Sequence, residues 1–337
     1  MRILLVVCVA VCIGIFGGCS QKQYFEPKDI SLKAEFSHKL PSPIVSTSRV
    51  GALLQNLEVL DTFGNIDIEL TQNQRFLGRE GTYYLVQDGC GALLFIDAST
   101  KTQSEFAFEK CIVSAKISPQ GSANTLIALV SADNSVIVYD VNTKREVFSQ
   151  KLANITAINT LAATPVFEKD KIIFPTLDGK LVIFDIPSNT LVRDILIQSD
   201  KFFNNIIYLV VKNDLMIAAT TKRISAIIDN SKTFNYDGDF RDLLLYKDKL
   251  YVLNNDGKIL ELDHTLKLLR EVNLEYARLH GIVIRNNTLY TLERNKYLIE
   301  LSLESFLPVV YKIDLPSKKP IFYTDDTLFY DRFYKRF

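Results

Sequence analysis

Apolar side chains along this chain come as paired short runs. A run of four to six residues, usually introduced by Asp or Asn, is followed by a turn and then by a second run that ends in Asp. Residues 170–185 and 248–263 are the same hairpin written twice: Asp-Lys, an apolar run, a turn carrying Asp178-Gly179 or Asp256-Gly257, and a second run closing on Asp185 or Asp263. The first apolar residues of the successive copies are Val50, Tyr83, Leu126, Ile172, Leu215, Leu250, Leu289 and Leu328, spaced 33 to 46 residues apart and close to forty on average. Second runs close at Asp61, Asp97, Asp140, Asp185, Asp229, Asp263 and Ser302, nearly always 13 or 14 residues after their markers. A constant phase inside a variable period means that the hairpin is invariant while the loops outside it vary.

The runs predict strands, because they are short, rich in Val, Ile, Leu, Tyr and Phe, and bounded by turn chemistry. Asp-Gly accepts positive φ, so a two-residue hairpin turn is expected at each. Every copy leaves room for two further strands, for instance 266–274 and 280–284. Four antiparallel strands per forty or so residues make one blade of an all-β propeller. Eight blades are expected, or seven if Val50 or Leu328 opens only a partial blade. No long amphipathic helix pattern competes after residue 30. The eighth copy, 327–333, falls short of a full blade, so its outer strand is expected from Ile30 to Phe36. Pairing N- and C-terminal strands in this way would close the ring and remove two exposed sheet edges.

The N-terminus reads differently. Arg2 precedes an uncharged, apolar stretch from Ile3 to Phe16 that ends in Gly17-Gly18-Cys19-Ser20. At sixteen residues to Gly18 it is shorter than the roughly 20 a membrane-spanning helix needs, and small residues close it, which is the layout of a secretory signal peptide. The expected organisation is a signal peptide over 1–18, a tether over 19–29 and one propeller over 30–337. Phe16-Gly-Gly-Cys19 resembles a bacterial lipobox, which implies acylation of Cys19, and two or more acyl chains give stable membrane anchoring. Ser20, where Asp would signal inner-membrane retention, implies the periplasmic side of the outer membrane. Cleavage would remove one of 39 cations and none of 39 acids, leaving a net charge of about −1 and no electrostatic case for nucleic acid. Of five cysteines only Cys90 and Cys111 would then remain as thiols in an oxidising compartment. Cys90 falls in the turn between second and third strands, and Cys111 follows the expected fourth strand, 103–108. Both positions belong to the same rim, so a disulfide is expected, with two separate thiols as the alternative.

Segments such as Asp178-Gly-Lys-Leu-Val-Ile-Phe-Asp185 resemble the quinoprotein-type (PQQ-like) propeller repeat. Together with the lipobox, and over about residues 30–335, the chain resembles the BamB family of outer-membrane protein assembly lipoproteins. The family repeat normally ends in a Trp that docks on the next blade. This chain has no Trp, so among its 15 Tyr and 21 Phe residues such as Phe106 and Phe148 are expected to take that part.

Chemistry is sparse. A quinone-dependent dehydrogenase would by resemblance need a stacking Trp and often a vicinal disulfide, and the mature chain has neither. His38, His264 and His280 stand far apart without metal-ligand spacing and read as lone surface or blade histidines. Asn254-Asn-Asp-Gly257 lacks the carboxylates and distal Glu of a calcium loop and reads as a turn. The aromatic and basic C-terminal segment 329–337 reads as a closing strand with a basic tail. No catalytic residue, cofactor or metal is expected, and the first strands around the axis, such as 164–167, 206–209 and 281–284, look almost wholly apolar. The functional expectation is a monomeric scaffold lipoprotein that joins a complex by binding protein partners through interblade loops near 74–80, 115–123, 151–163 and 199–206. The β-barrel assembly machinery is one expected partner; the alternative is another envelope interaction lipoprotein, an adhesin or an appendage- or motor-associated protein.

Overall fold

The computed structural model describes residues 23–155, 157, 161–200, 203–316 and 319–337. The signal-peptide span 1–18 and Cys19 lie outside them. Among the described residues every regular element is a strand, and these form eight sheets: six of four consecutive antiparallel strands, a seventh of four with an added N-terminal strand, and an eighth of three consecutive strands with an N-terminal fourth. The blades cover residues 44–69, 74–107, 112–151, 166–196, 208–237, 240–273, 279–313 and 321–336, the last completed by His38–Lys39. The eight-blade reading is therefore the fold.

Second and third strands are sandwiched between neighbouring blades. In blade 3, all residues of Leu126–Ser131 and Ser135–Asp140 are buried, whereas the fourth strand, Arg145–Lys151, is exposed apart from Phe148. Strands covered on both faces read as continuous apolar runs and not as alternation, which is why the paired runs mark these two strands. The core is correspondingly divided into clusters between blades. One of them joins Ala128, Val130 and Val138 of blade 3 to Ile172, Phe174 and Phe184 of blade 4. Phe106 meets Tyr139 of the next blade at 4.8 Å between ring centroids, and Phe148 meets Phe184 at 4.9 Å. Two Phe residues thus make the blade-to-blade ring contact in a chain without Trp, and such pairs add about 0.5–1.5 kcal/mol beyond burial.

The recurrent Asp that closes the second run of each pair, at or just after the end of the third strand, caps the turn that follows. Asp140 Oδ1 accepts the backbone N–H groups of Asn142 (2.8 Å) and Thr143 (3.1 Å), and Asp263 Oδ1 accepts those of Thr265 (2.8 Å) and Lys267 (3.0 Å). The Asp-Gly turns are three-residue loops, 177–179 and 255–257, and not the two-residue turns expected. Gly179 and Gly257 hold φ of +87° and +91° at the last loop position. The chain leaving the fourth strand presses on each: Ile197 N–H donates to Gly179 O at 2.9 Å and Leu274 N–H to Gly257 O at 3.0 Å. That contact favours a longer loop, which swings the glycine outward to meet the returning strand.

Closure also departs from expectation in detail. The outer strand of blade 8 is His38–Lys39, antiparallel to Phe333–Arg336, and not Ile30 to Phe36. Lys33–Ala34 instead runs parallel to Lys312–Ile313 as a fifth strand on blade 7. Phe36 explains the shift: it is buried beside Leu292 of blade 7 and Leu328 and Tyr330 of blade 8, so it wedges between the two blades and divides the segment into two short strands. His38 stacks on Tyr334 with ring centroids 5.1 Å apart, and Lys39 lies 5.4 Å from the Phe333 ring centroid. Upstream, residues 23–29 are docked on the molecule, with Phe25 buried in the cluster between blades 6 and 7 and edge-on to Tyr297 at 5.6 Å.

Candidate functional site

First strands of seven blades, with Leu161, Ala163 and Thr164 leading into blade 4, surround an axial cavity of about 590 Å³. The expectation of an almost wholly apolar lining is corrected here. Arg49, Tyr208, Arg241, Asp242, His280 and Tyr323 line it, drawn from blades 1, 5, 6, 7 and 8. A β-bulge supplies the local reason. Register shifts recur within the first strands of blades 1, 2, 3, 6 and 7. On blade 6 the extra residue between Phe240 and Asp242 is Arg241. A bulge re-aims the side chains beyond it and breaks period-two alternation.

The polar groups fall into two linked sets. In the first, Arg49 Nη1 donates to Asp242 Oδ1 at 2.7 Å and to Tyr323 Oη at 2.9 Å, and Tyr323 Oη donates to Asp242 Oδ2 at 2.5 Å. Burial opposes the Arg49 charge, but Asp242 and Tyr323 hold its pKa above the ordinary arginine value. Burial and the Asp242 charge push the Tyr323 phenol well up. Tyr208, raised to about 12 mainly by burial, accepts the Leu245 N–H at 2.9 Å. In the second set, Arg241 Nη2 lies 3.0 Å from His280 Nδ1. Burial, then the charges of Arg241 and Arg294, lowers His280 to about 4, so the ring is neutral at physiological pH. His280 is therefore a channel residue with an Arg partner and not a lone blade histidine. His38 sits at the closure seam and His264 on an exposed turn. Among the described residues no group of three or more His, Cys, Asp or Glu side chains is placed to hold a metal ion.

Of the four expected binding loops, one is a strand and a second begins as one before turning at 118–123 within blade 3. Gln74–Glu80 is the first strand of blade 2, and Ile112–Ile117, the first strand of blade 3, occupies the start of the 115–123 segment. Their polar content disguised them. Arg75 donates from Nη1 and Nη2 to the carbonyls of Ile112 and Val113, both at 2.9 Å, and Lys116 pairs with Glu80 at 2.7 Å. These cations lace adjacent inner strands together. The other two segments do connect blades: residues 152–165 join blades 3 and 4, and 197–207 join blades 4 and 5. Both leave a fourth strand for a first strand, so they lie on one rim and flank blade 4. Asn134 anchors the first of them, donating from Nδ2 to Ala153 O at 2.9 Å and accepting Leu177 N–H at 2.9 Å. The second carries Phe203, 51% exposed. Elsewhere on this rim a disulfide joins Cys90 to Cys111, with Cα atoms 4.5 Å apart. Gln87 runs beside it, bonded to Lys110 O at 2.9 Å and to Ile112 N–H at 3.0 Å.

No family model matches the chain. Among curated proteins, plasminogen-binding protein PgbB of Helicobacter pylori strain J99 is 35% identical over 373 aligned residues, which cover 95% of this chain and 68% of PgbB. PgbB of strain 26695 is 34% identical over the same shares. The chain belongs to the PgbB family. Solved structures agree on the architecture found here for a PgbB relative. BamB from Moraxella catarrhalis superposes with a TM-score of 0.68 at 13% identity, over 89% of this chain and 98% of BamB. The C-terminal WD40 domain of Sif2 gives 0.66 at 13% identity, over 92% and 99%. At such identities the likeness is one of fold, a BamB-like propeller that functionally unrelated chains share.

Proposed function

We propose that this PgbB relative is a protein-binding propeller of the bacterial envelope, held by an acylated Cys19, with plasminogen as a partner, and that it has no enzymatic role. The observation that carries this reading is the 35% identity to a plasminogen-binding protein across 95% of the chain. The fold suits the task. Strands are consumed by blade packing while the connections are free to vary, and of the two that flank blade 4 one carries an exposed Phe203 able to serve as an anchor. The lipobox-like Phe16-Gly-Gly-Cys19 supports membrane attachment.

The first test is surface plasmon resonance with the detergent-purified protein over immobilised plasminogen. Saturable binding supports the reading; its absence from protein with an intact β-sheet spectrum overturns the plasminogen assignment. A role in barrel assembly has the fold likeness alone in its favour, and crosslinking in cells that recovers a barrel-assembly protein in place of plasminogen binding would favour it.

A further inference from the structure

The axial cavity presents more hydrogen-bond donors than the protein can satisfy. Arg241 lines it, and among the described residues its side chain bonds His280 Nδ1. Arginine has no acceptor, so Nδ1 must accept, which makes the neutral ring the Nε2–H tautomer and leaves a second donor on His280. Among the described residues, Arg241 has no carboxylate within ion-pair distance and His280 Nε2 has no acceptor. Behind them, Arg49 has spent Nη1 on Asp242 and Tyr323, while its Nε and Nη2 are buried with no acceptor. Of the other cations at the wall, Arg79 pairs with Asp61 at 2.7 Å and Lys116 with Glu80 at 2.7 Å, while Arg285 makes no ion pair among the described residues. The acceptors that face Arg49 are occupied too, because Asp242 takes Arg49, Tyr323 and the Leu243 N–H at 3.0 Å.

What remains is a concavity of the size that ordinarily holds small molecules, in which Arg49, Arg79, Lys116, Arg241 and Arg285 outnumber the lining carboxylates Asp242 and Asp325. A metal ion or an organic cation would meet guanidinium groups. An apolar ligand would leave Arg241 desolvated with no counter-charge, which is costly. An oxyanion answers both: its oxygens accept from a planar guanidinium and from an imidazole N–H, bonds that are strengthened by charge.

We propose that the axial cavity is a binding site for a small oxyanion, a carboxylate or phosphate compound, held by Arg241 and the Nε2–H of His280 with Arg49 completing the positive wall. The site goes beyond the rim-mediated partner binding above and does not depend on it.

Isothermal titration of the detergent-purified protein with sodium citrate and, separately, with inorganic phosphate tests the assignment, ionic strength being held constant with sodium chloride. One-site saturable binding of either anion is expected, weakened at least tenfold by Arg241→Met and less by Arg241→Lys, which keeps the charge without the fork. His280→Asn keeps an acceptor for Arg241 but is too short to place a donor where Nε2–H stands, and should weaken binding severalfold. Citrate binding without phosphate binding assigns a carboxylate ligand, and the converse a phosphate ligand. No saturable heat above the chloride control, or undiminished affinity in both Arg241→Met and His280→Asn, would overturn the proposal. Because His280→Asn conserves the arginine, the test stands even if Arg241→Met fails to fold.

Discussion

Asp242→Asn is the most informative single change to the ring. Arg49 stands between the first two strands of blade 1, Asp242 on the first strand of blade 6 and Tyr323 on that of blade 8, so their bonds join parts of the chain 193, 274 and 81 residues apart. Side-chain exposure is 17% for Arg49 and 6% for Asp242. Arg49 cannot shed its proton, and its Nε and Nη2 already lack acceptors. Removing the carboxylate therefore leaves a buried cation without its counter-charge, a defect that costs about 3–5 kcal/mol. Asn retains one acceptor oxygen for Arg49 Nη1, so the lower end, about 3 kcal/mol, is expected. At roughly 2 °C per kcal/mol for a chain of this size, the melting temperature followed by circular dichroism should fall by about 6 °C. Asp242→Leu should cost more. The double change Arg49→Met with Asp242→Leu should recover most of the loss, because exchanging a buried pair for apolar groups is often near neutral. A fall below about 2 °C for Asp242→Asn, or a double variant as unstable as the sum of its singles, would refute the reasoning.

Three further outcomes follow from the same geometry. Cys111→Ser should lower stability by about 3 kcal/mol on the chain-entropy model for closure of a 21-residue loop, measured by urea unfolding against the oxidised parent. Gly257→Ala should destabilise more than Gly64→Ala: both are left-handed, at φ +91° and +82°, but a Cβ at 257 would lie 2.1 Å from Leu274 O while one at 64 meets nothing within 4 Å, so Gly64→Ala reports the backbone cost of about 1–2 kcal/mol alone. For His280 the folded pKa, about 4, lies below the unfolded value, so above pH 6.5 both states are neutral and the ring adds no pH dependence. As pH falls from 6.5 toward 4 the unfolded chain takes up a proton that the folded one, facing Arg241, Arg294 and Arg278, refuses, and stability is lost. His280→Asn should remove that loss, leaving the variant about 2 kcal/mol less acid-sensitive than the parent between pH 7.5 and 4.5 in urea titrations.

The sequence was most readable where both faces of a strand are covered. Leu126–Ser131 and Ser135–Asp140 are buried throughout, and their unbroken apolar runs carried the repeat and with it the blade count. First strands resisted because bulges break their alternation and because residues such as Arg75 and Lys116 spend their polar ends on the neighbouring blade. Fourth strands were legible in part: those expected at 103–108 and 266–274 are Thr102–Ala107 and Leu268–Asn273, whereas outer exposure leaves Arg145–Lys151 almost without an apolar signal. The channel set could not be read at all: Arg49, Asp242 and Tyr323 share no local motif, and only the ring brings them together. One hint was present, a charged pair, Arg241-Asp242, set inside the apolar run from Phe240 to Leu245. The closure was half legible, since the need for an N-terminal strand followed from the short last copy while the wedge made by Phe36 did not.

Partner capture by the rim that flanks blade 4 is the central claim, and surface plasmon resonance of matched variants over immobilised plasminogen addresses it most directly. Phe203→Ala, on the 197–207 connection, should weaken binding at least tenfold, because a half-exposed aromatic on a connecting loop is the kind of anchor that dominates affinity. Phe63→Ala, at a 67% exposed position on the turn after the third strand of blade 1 and so on the opposite rim, should bind as the parent does. Undiminished binding by Phe203→Ala together with loss in Phe63→Ala would contradict the account.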